Sequence, residues 1–288
     1  MEEEYRMPLT QHLEELRRRL IISIVGVLIG FLATYAFAED VFRFLARPLI
    51  AALPEEGNLA ILRVTEGFFT YLKVALFSGV ILASPLVLYQ IWAFVSPGLY
   101  KKEKKTLVPF VFFSVILFAI GITFAYLVVF PFGFKFLLRY ATGEIQASLS
   151  IQWYVTFAMR LLLAFGVIFQ MPLVMFFLAR LGLVNDKMLR KNRKYALLMA
   201  FLIGAVLTPP DVFTQTLMAG PLIILFEISI WLARVAQKER QQSAGDVPQT
   251  QESAARAAEE SSSPPEDAGG GDGSGQDPGP DDTPSPAG

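Results

Sequence analysis

The chain has 288 residues, 53% of them apolar and 18% charged, with 25 phenylalanines, no cysteine and one histidine. A soluble domain usually carries about 25% charged residues. Here the shortfall is concentrated in long uncharged blocks, which points to a polytopic membrane protein and away from a soluble enzyme. The absence of cysteine excludes disulfides, thiol catalysis and zinc–thiolate sites. His12 alone leaves little material for metal or imidazole chemistry, and it reads as an ordinary residue on an exposed helix face.

The formal net charge of −1 averages two unlike pieces. Residues 241–288 hold ten acids and one base, Arg256, which makes that segment −9, and residues 1–240 are +8.

In chain order, residues 1–19 form a lead-in. Leu9, Leu13, Leu16 and Leu20 recur at steps of four, three and four, one stripe of an amphipathic helix, with Thr10 as a plausible cap. The first uncharged block is Leu20 to Ala38. Its end, Ala36-Phe37-Ala38, resembles a signal-peptide cleavage site, but the apolar region is too long for one and follows a helical lead-in. It reads as an uncleaved anchor. Further blocks run from Val74 to Tyr100, Thr106 to Phe134 and Ile151 to Ala179, the last interrupted by Arg160. Tyr195 to Pro210 and Val212 to Ala233 follow, the latter interrupted by Glu227.

About 20 residues of helix cross a bilayer core about 30 Å thick, so residues 20–235 predict six spans. Counted to Glu227, the last two are short, and they are joined by the helix-breaking turn Thr208-Pro209-Pro210-Asp211. Such a pair favours local thinning or a partner helix, which makes this turn a candidate docking edge for a single-span partner. Pro85, Pro172 and Pro221 read as kinks. The loops Glu39 to Thr70 and Lys135 to Ser150 are long enough to form caps. Residues 241–288 have too little apolar surface to offset chain entropy and are expected to be disordered.

Orientation follows from the positions of Lys and Arg in short loops. Arg17, Arg18 and Arg19 precede span one. Lys101, Lys102, Lys104 and Lys105 follow span two, six bases from Arg180 to Lys194 follow span four, and Arg234, Lys238 and Arg240 follow span six. The alternate loops are poorer in bases. Both termini are therefore predicted to be cytoplasmic, in a bacterial inner membrane.

No phosphate-binding Gly-rich loop followed by Lys, nucleophile elbow or paired-histidine zinc motif occurs. What remains is polar residues at membrane depth and acids among bases. Arg160, Gln170 and Glu227 are costly in hydrocarbon and are functional candidates on that ground. The plainer reading is snorkelling for the two charged residues and interhelical hydrogen bonding for Gln170. Glu15 lies beside Arg17, Arg18 and Arg19, and Glu103 lies among four lysines. Either can be an acidic docking spot for a cationic peptide. The plainer reading is local charge balance, with Glu14–Arg18 and Glu15–Arg19 as helical i,i+4 pairs. A secondary transporter of a small polar solute would use Arg160, Gln170 and Glu227 as a polar path, but no internal repeat supports it. An intramembrane enzyme lacks a catalytic set.

Several segments together resemble the TatC family, the multispanning receptor subunits of the twin-arginine protein translocase. They are HLEELRRRL (12–20), FFTYLKVALFSGVILASPLVLYQIWAFVSPGLYKKEKK (68–105), GITFAYLVVFPFGF (121–134), AFGVIFQMPLV (164–174) and LTPPDVFTQTL (207–217). The resemblance covers about residues 8–235. It implies a non-enzymatic receptor without cofactor or metal that binds twin-arginine signal peptides. Its expected partners are TatA/TatB-type single-span subunits, membrane lipid and further copies of itself, and not nucleic acid. Export of folded proteins would be driven by the proton-motive force. The family's signal-recognition carboxylates fall on Glu15 and Glu103, with Leu16, Arg17, Pro48, Phe94 and Tyr100 as supporting positions. Its intramembrane polar position falls on Gln170, where most members carry Glu, so a titratable role is not expected here.

Overall fold

The computed structural model describes residues 9–53, 58–95, 104–139, 148–208 and 211–245. Helix α1 spans Leu9–Tyr35 without a break, so the lead-in and the first span are one rod. No Gly or Pro occurs between Leu9 and Gly26 to interrupt it, and Thr10 falls inside the first turn and not at its cap. The leucine stripe faces outward: Leu13, Leu16 and Leu20 are 64%, 43% and 57% exposed. The face bearing Glu15 and Arg19 turns instead toward α3 (Glu66–Val95).

The α1–α3 crossing is close because of two glycines. A methyl on Gly30 would lie 2.6 Å from the Gly79 carbonyl oxygen, so larger residues would force the backbones apart. Below it, the Thr34 hydroxyl donates to the Ala75 carbonyl at 2.9 Å.

At the end of α1 the chain bends by 88° into α2 (Ala38–Ile50). Glu39 and Asp40 in the first turn and Arg47 in the last suit the helix dipole, and Leu45, Ala46 and Leu49 are buried. Pro48 lies in the last turn and has no N–H to give the Phe44 carbonyl. That carbonyl accepts instead from the Tyr126 hydroxyl at 2.7 Å. The Tyr154 hydroxyl bonds the next carbonyl, Leu45, at 2.5 Å. Strands β1 (Asn58–Ala60) and β2 (Ser148–Ser150) pair in parallel, Leu59 opposite Leu149. Through this pairing the described parts of the two long loops meet at the end of the bundle opposite the α1 amino terminus.

Helix α4 (Lys104–Phe124) widens into a π turn at Ala125–Val129 and continues as α5 (Phe130–Leu138). Pro131 removes the donor for the Leu127 carbonyl, and the widened turn absorbs the defect. The fourth apolar stretch is broken into α6 (Ile151–Ile168) and α7 (Met171–Leu181). Pro172 cannot bond the Ile168 carbonyl, so the helix stops, and Gln170 stands at the start of the next one without a side-chain capping bond. Gly182, at φ 79°, closes α7 in the left-handed conformation that suits glycine. By contrast, Pro85 and Pro221 lie within helices that continue as single elements.

Helix α8 (Asp186–Lys191) leads into α9 (Arg193–Leu207), which has 15 residues, and α10 (Val212–Gly245), which has 34. Shortness is thus confined to α9, at about 22 Å for 1.5 Å per residue. The apolar run of α10 reaches a charge at Glu227, but the helix continues through it, since glutamate is itself a good helix former. Among the described residues, four stretches are long and apolar enough to cross a membrane singly: Glu66–Val95, Val108–Leu138, Ile151–Leu181 and Val212–Lys238. Helix α1 meets that criterion together with α2, across the bend. With α9 these make the six apolar helical stretches of a multi-pass membrane protein.

The main core lies between α2, α3, α5, α6 and α10, with Leu49, Val74, Phe130, Tyr154 and Phe165 at or below 1% exposure. A second cluster packs α7, α8 and α10 through Ala179, Leu189 and Ile230. The outward residues of α1, such as Ile24, Leu28 and Leu32, are more than half exposed and form a lipid-compatible surface.

Candidate functional site

Charged and aromatic side chains meet where the start of α1 crosses the end of α3. Glu15 and Arg19 are one helical turn apart, so they share a face. Arg19 Nε and Nη2 both donate to Glu15 Oε1, at 2.9 and 2.6 Å. Arg19 Nη1 donates across to Gln90 Oε1 on α3 at 3.2 Å. Gln90 is 8% exposed, whereas the Arg19 and Glu15 side chains are 23% and 25% exposed. One turn farther along each helix, the rings of His12 and Phe94 stack with centroids 4.4 Å apart. Glu15 and Phe94 are therefore brought to one end of one helix pair. Among the described residues, Glu15 Oε2 receives no hydrogen bond.

The Glu15–Arg19 pair follows the helical spacing, but no ion pair joins Glu14 and Arg18 among the described residues. Sequence reasoning missed Gln90 and the use of His12. Their only signal was a polar residue within an uncharged block and the lone histidine three positions before Glu15. Leu16 and Arg17 are exposed on other faces of α1. Pro48 is not brought to this end: it lies in α2, beyond the far end of α1, and its structural consequence is the opened Phe44 carbonyl. Tyr100 and Glu103 lie outside the described residues.

Deeper in the bundle, Gln170 sits at the α6–α7 break and reaches α4. The Ser114 hydroxyl donates to Gln170 Oε1, and Gln170 Nε2 donates back to the Ser114 carbonyl at 3.0 Å. Trp92 Nε1 on α3 donates to the same hydroxyl at 3.0 Å, and Ser114 is fully buried. Three helical stretches are joined by neutral groups, each used with its proper polarity.

Arg160 and Glu227 have different surroundings. Arg160 is exposed on α6, on the same face as Trp153 and Val167, and has no polar partner among the described residues. Glu227 accepts from Arg193 of α9 at 2.7 Å, with the two side chains 47% and 52% exposed. Solvent screening makes such a pair a small contributor. The three intramembrane polar residues thus do not converge on one path.

At the end where the two loops meet, Glu66 is 3% exposed and gathers four donors. Its Oε2 accepts from the backbone N–H groups of Leu62 and Arg63 at 2.7 and 3.2 Å. Its Oε1 accepts from the Ser150 hydroxyl and from the Gln152 N–H at 2.9 Å. The carboxylate ties α3 to the first turn of α6, where negative charge suits the helix dipole. Sequence reasoning passed over it because Glu66 lies outside every uncharged block.

In the candidate docking turn, Thr208 is buried and its hydroxyl donates to the Gly204 carbonyl at 2.9 Å. Asp211 caps α10 by accepting from the Thr214 N–H at 2.7 Å. Both are engaged inside the fold, and Pro209 and Pro210 lie outside the described residues. The outward surface nearby belongs to α9, where Leu198, Leu202 and Val206 recur at every fourth position, 64%, 54% and 79% exposed.

Comparison with known proteins gives a consistent result. Residues 11–221 match the model of the Sec-independent protein translocase protein family, TatC. The TatC protein of Desulforapulum autotrophicum is 50% identical over 238 residues, covering 83% of this chain and 88% of that protein. The Escherichia coli K12 protein of the same name is 44% identical over 227 residues, covering 79% and 88%. A crystal structure of the twin-arginine translocase receptor TatC superposes with a TM-score of 0.70 at 44% identity, over 78% of this chain and 99% of that one.

Proposed function

Because the chain belongs to the TatC family of Sec-independent protein translocase proteins, we propose that it is the receptor subunit that binds twin-arginine signal peptides at the cytoplasmic face. Export of folded proteins across the bacterial inner membrane would then follow, driven by the proton-motive force. The observation that carries this reading is the Glu15 carboxylate at the α1–α3 end, fixed through one oxygen with the other open. A guanidinium meets a carboxylate through parallel N–H donors, which an ammonium cannot do, so a fixed acid favours arginine over lysine. The family resemblance adds Glu103, among its lysines, as the second acid, and Leu16, Arg17, Phe94 and Tyr100 as supporting positions.

The acids do not suffice alone. A hydrogen bond to a charged group contributes about 1.5–3 kcal/mol, whereas micromolar binding needs about 8 kcal/mol. The remainder is assigned to the apolar segment of the signal lying against the spans.

Partner subunits of the single-span TatA/TatB type would dock along the short helix α9, whose outward stripe Leu198, Leu202 and Val206 offers an unbroken apolar edge. Self-association and bound lipid belong to the same reading. The test is site-specific photocrosslinking of a stalled twin-arginine precursor. Probes at Phe94 should capture the signal's arginine pair and probes at Pro48 should not. Capture at Pro48 with none at Phe94 would place the receptor site at the wrong end.

A further inference from the structure

We propose that Arg19 is the internal occupant of the Glu15 site, a guanidinium of the receptor's own that an incoming signal arginine must displace to engage both carboxylate oxygens. The inference rests on the reading of Glu15 as a signal-binding carboxylate. Arg19 Nε and Nη2 both point at Glu15 Oε1, at 2.9 and 2.6 Å. This is the chemistry that the ligand would bring. Its neighbours Arg17 and Arg18, although close in sequence, make no bond to Glu15 among the described residues. Only Arg19, at the i+4 position, has the direction to do so.

Gln90 supplies the second half of the device. Its Oε1 already accepts from Arg19 Nη1 at 3.2 Å, and the residue is 8% exposed on α3. A displaced Arg19 therefore has an acceptor to retain, and its charge is not stranded when Glu15 turns to the ligand. The exchange is guanidinium for guanidinium, so its net cost is small for an arginine ligand. A lysine ligand must remove the same two bonds and return a hydrated point charge. Arg19 thus sets a threshold that an arginine passes more readily than a lysine does.

The test uses the full chain in lipid nanodiscs and two fluorescent signal peptides, one with the Arg-Arg pair and one with Lys-Lys. Arg19→Gln should bind the Arg-Arg peptide about two- to tenfold more tightly, the range between a helix ion pair and a charge-assisted hydrogen bond. Lys-Lys affinity should rise by the same factor, because both ligands displace the same two bonds. Arg19→Lys keeps the charge but loses the fork, and it should raise both affinities by a smaller factor. It also serves as the test variant if Arg19→Gln does not fold. Unchanged or weaker Arg-Arg binding, or tightening of only one of the two peptides, overturns the proposal. A separate control isolates the premise: if Glu15→Gln binds the Arg-Arg peptide as the parent does, Glu15 is not the site at all.

Discussion

Gln170 and Ser114 hold each other twice, hydroxyl to amide oxygen and amide nitrogen to backbone carbonyl, across the gap between the α6–α7 break and α4. The polarity is set by the Ser114 carbonyl, which requires a donor at Gln170 Nε2. A neutral amide meets that need at any pH. Gln170→Leu should take from the buried Ser114 hydroxyl its acceptor and from the Ser114 carbonyl its amide donor, and cost about 1–3 kcal/mol of stability, with reduced export. Gln170→Glu should be milder, because a protonated carboxyl also offers a donor and an acceptor. Thermal unfolding in detergent and an export assay give the order directly, and a worse effect of Glu than of Leu would contradict the account.

Pro48 and Tyr126 should be energetically coupled. Tyr126→Phe strips the Phe44 carbonyl of its donor, a loss of about 0.5–1.5 kcal/mol. Pro48→Ala restores the helical N–H, so the same tyrosine substitution should cost less in that background. A double-mutant cycle should show a coupling of about 0.5 kcal/mol or more. Additive effects would mean that the tyrosine bond is not compensating for the proline.

Glu66 should matter more than an ordinary surface acid. Glu66→Gln replaces one acceptor oxygen with a donor that faces N–H or O–H groups, and the link between α3 and α6 should loosen. The matched control is Glu39→Gln, which breaks only an exposed pair with Arg43, 62% and 69% exposed. The melting temperature should fall further for Glu66→Gln, and proteolysis within the two paired loops should accelerate. Equal effects would reduce Glu66 to a screened charge.

Helix α9 should be the contact edge for a single-span subunit. A photocrosslinker at Leu202 should capture that partner, whereas one at Leu28, equally exposed on α1 at 54%, should not. Inserting four apolar residues within Leu197 to Val206 should weaken both capture and export, with five- and seven-residue insertions separating length from rotation. Full export and capture in all three would remove any role for the short length.

The apolar helices were legible because an uncharged block of membrane length is rare outside a bilayer-spanning helix, but Pro85, Pro172 and Pro221 read alike as kinks, and only Pro172 marks a break between helices. The length of α10 was not legible, since a charge ends an uncharged block without ending a helix. Glu227 is held by Arg193, a residue 34 positions earlier that no local pattern identifies. The outward turn of the leucine stripe was also hidden. In water such a stripe faces a core, but at a membrane surface it faces lipid, and the polar pair Glu15–Arg19 takes the inner face. Gln90 and Glu66 were missed for a common reason. Each acts through partners brought together by tertiary packing, and nothing in the local sequence marks a polar residue as part of a clamp.

The most direct test of the central claim is the affinity of a twin-arginine signal peptide for the full chain, compared with Glu15→Gln and Glu103→Gln. Removing one charged hydrogen-bond acceptor worth about 1.5–3 kcal/mol predicts a loss of at least about tenfold for each variant. Circular dichroism should remain unchanged for both variants. Parent-like affinity in both would contradict the assignment of this end of the molecule as the receptor site.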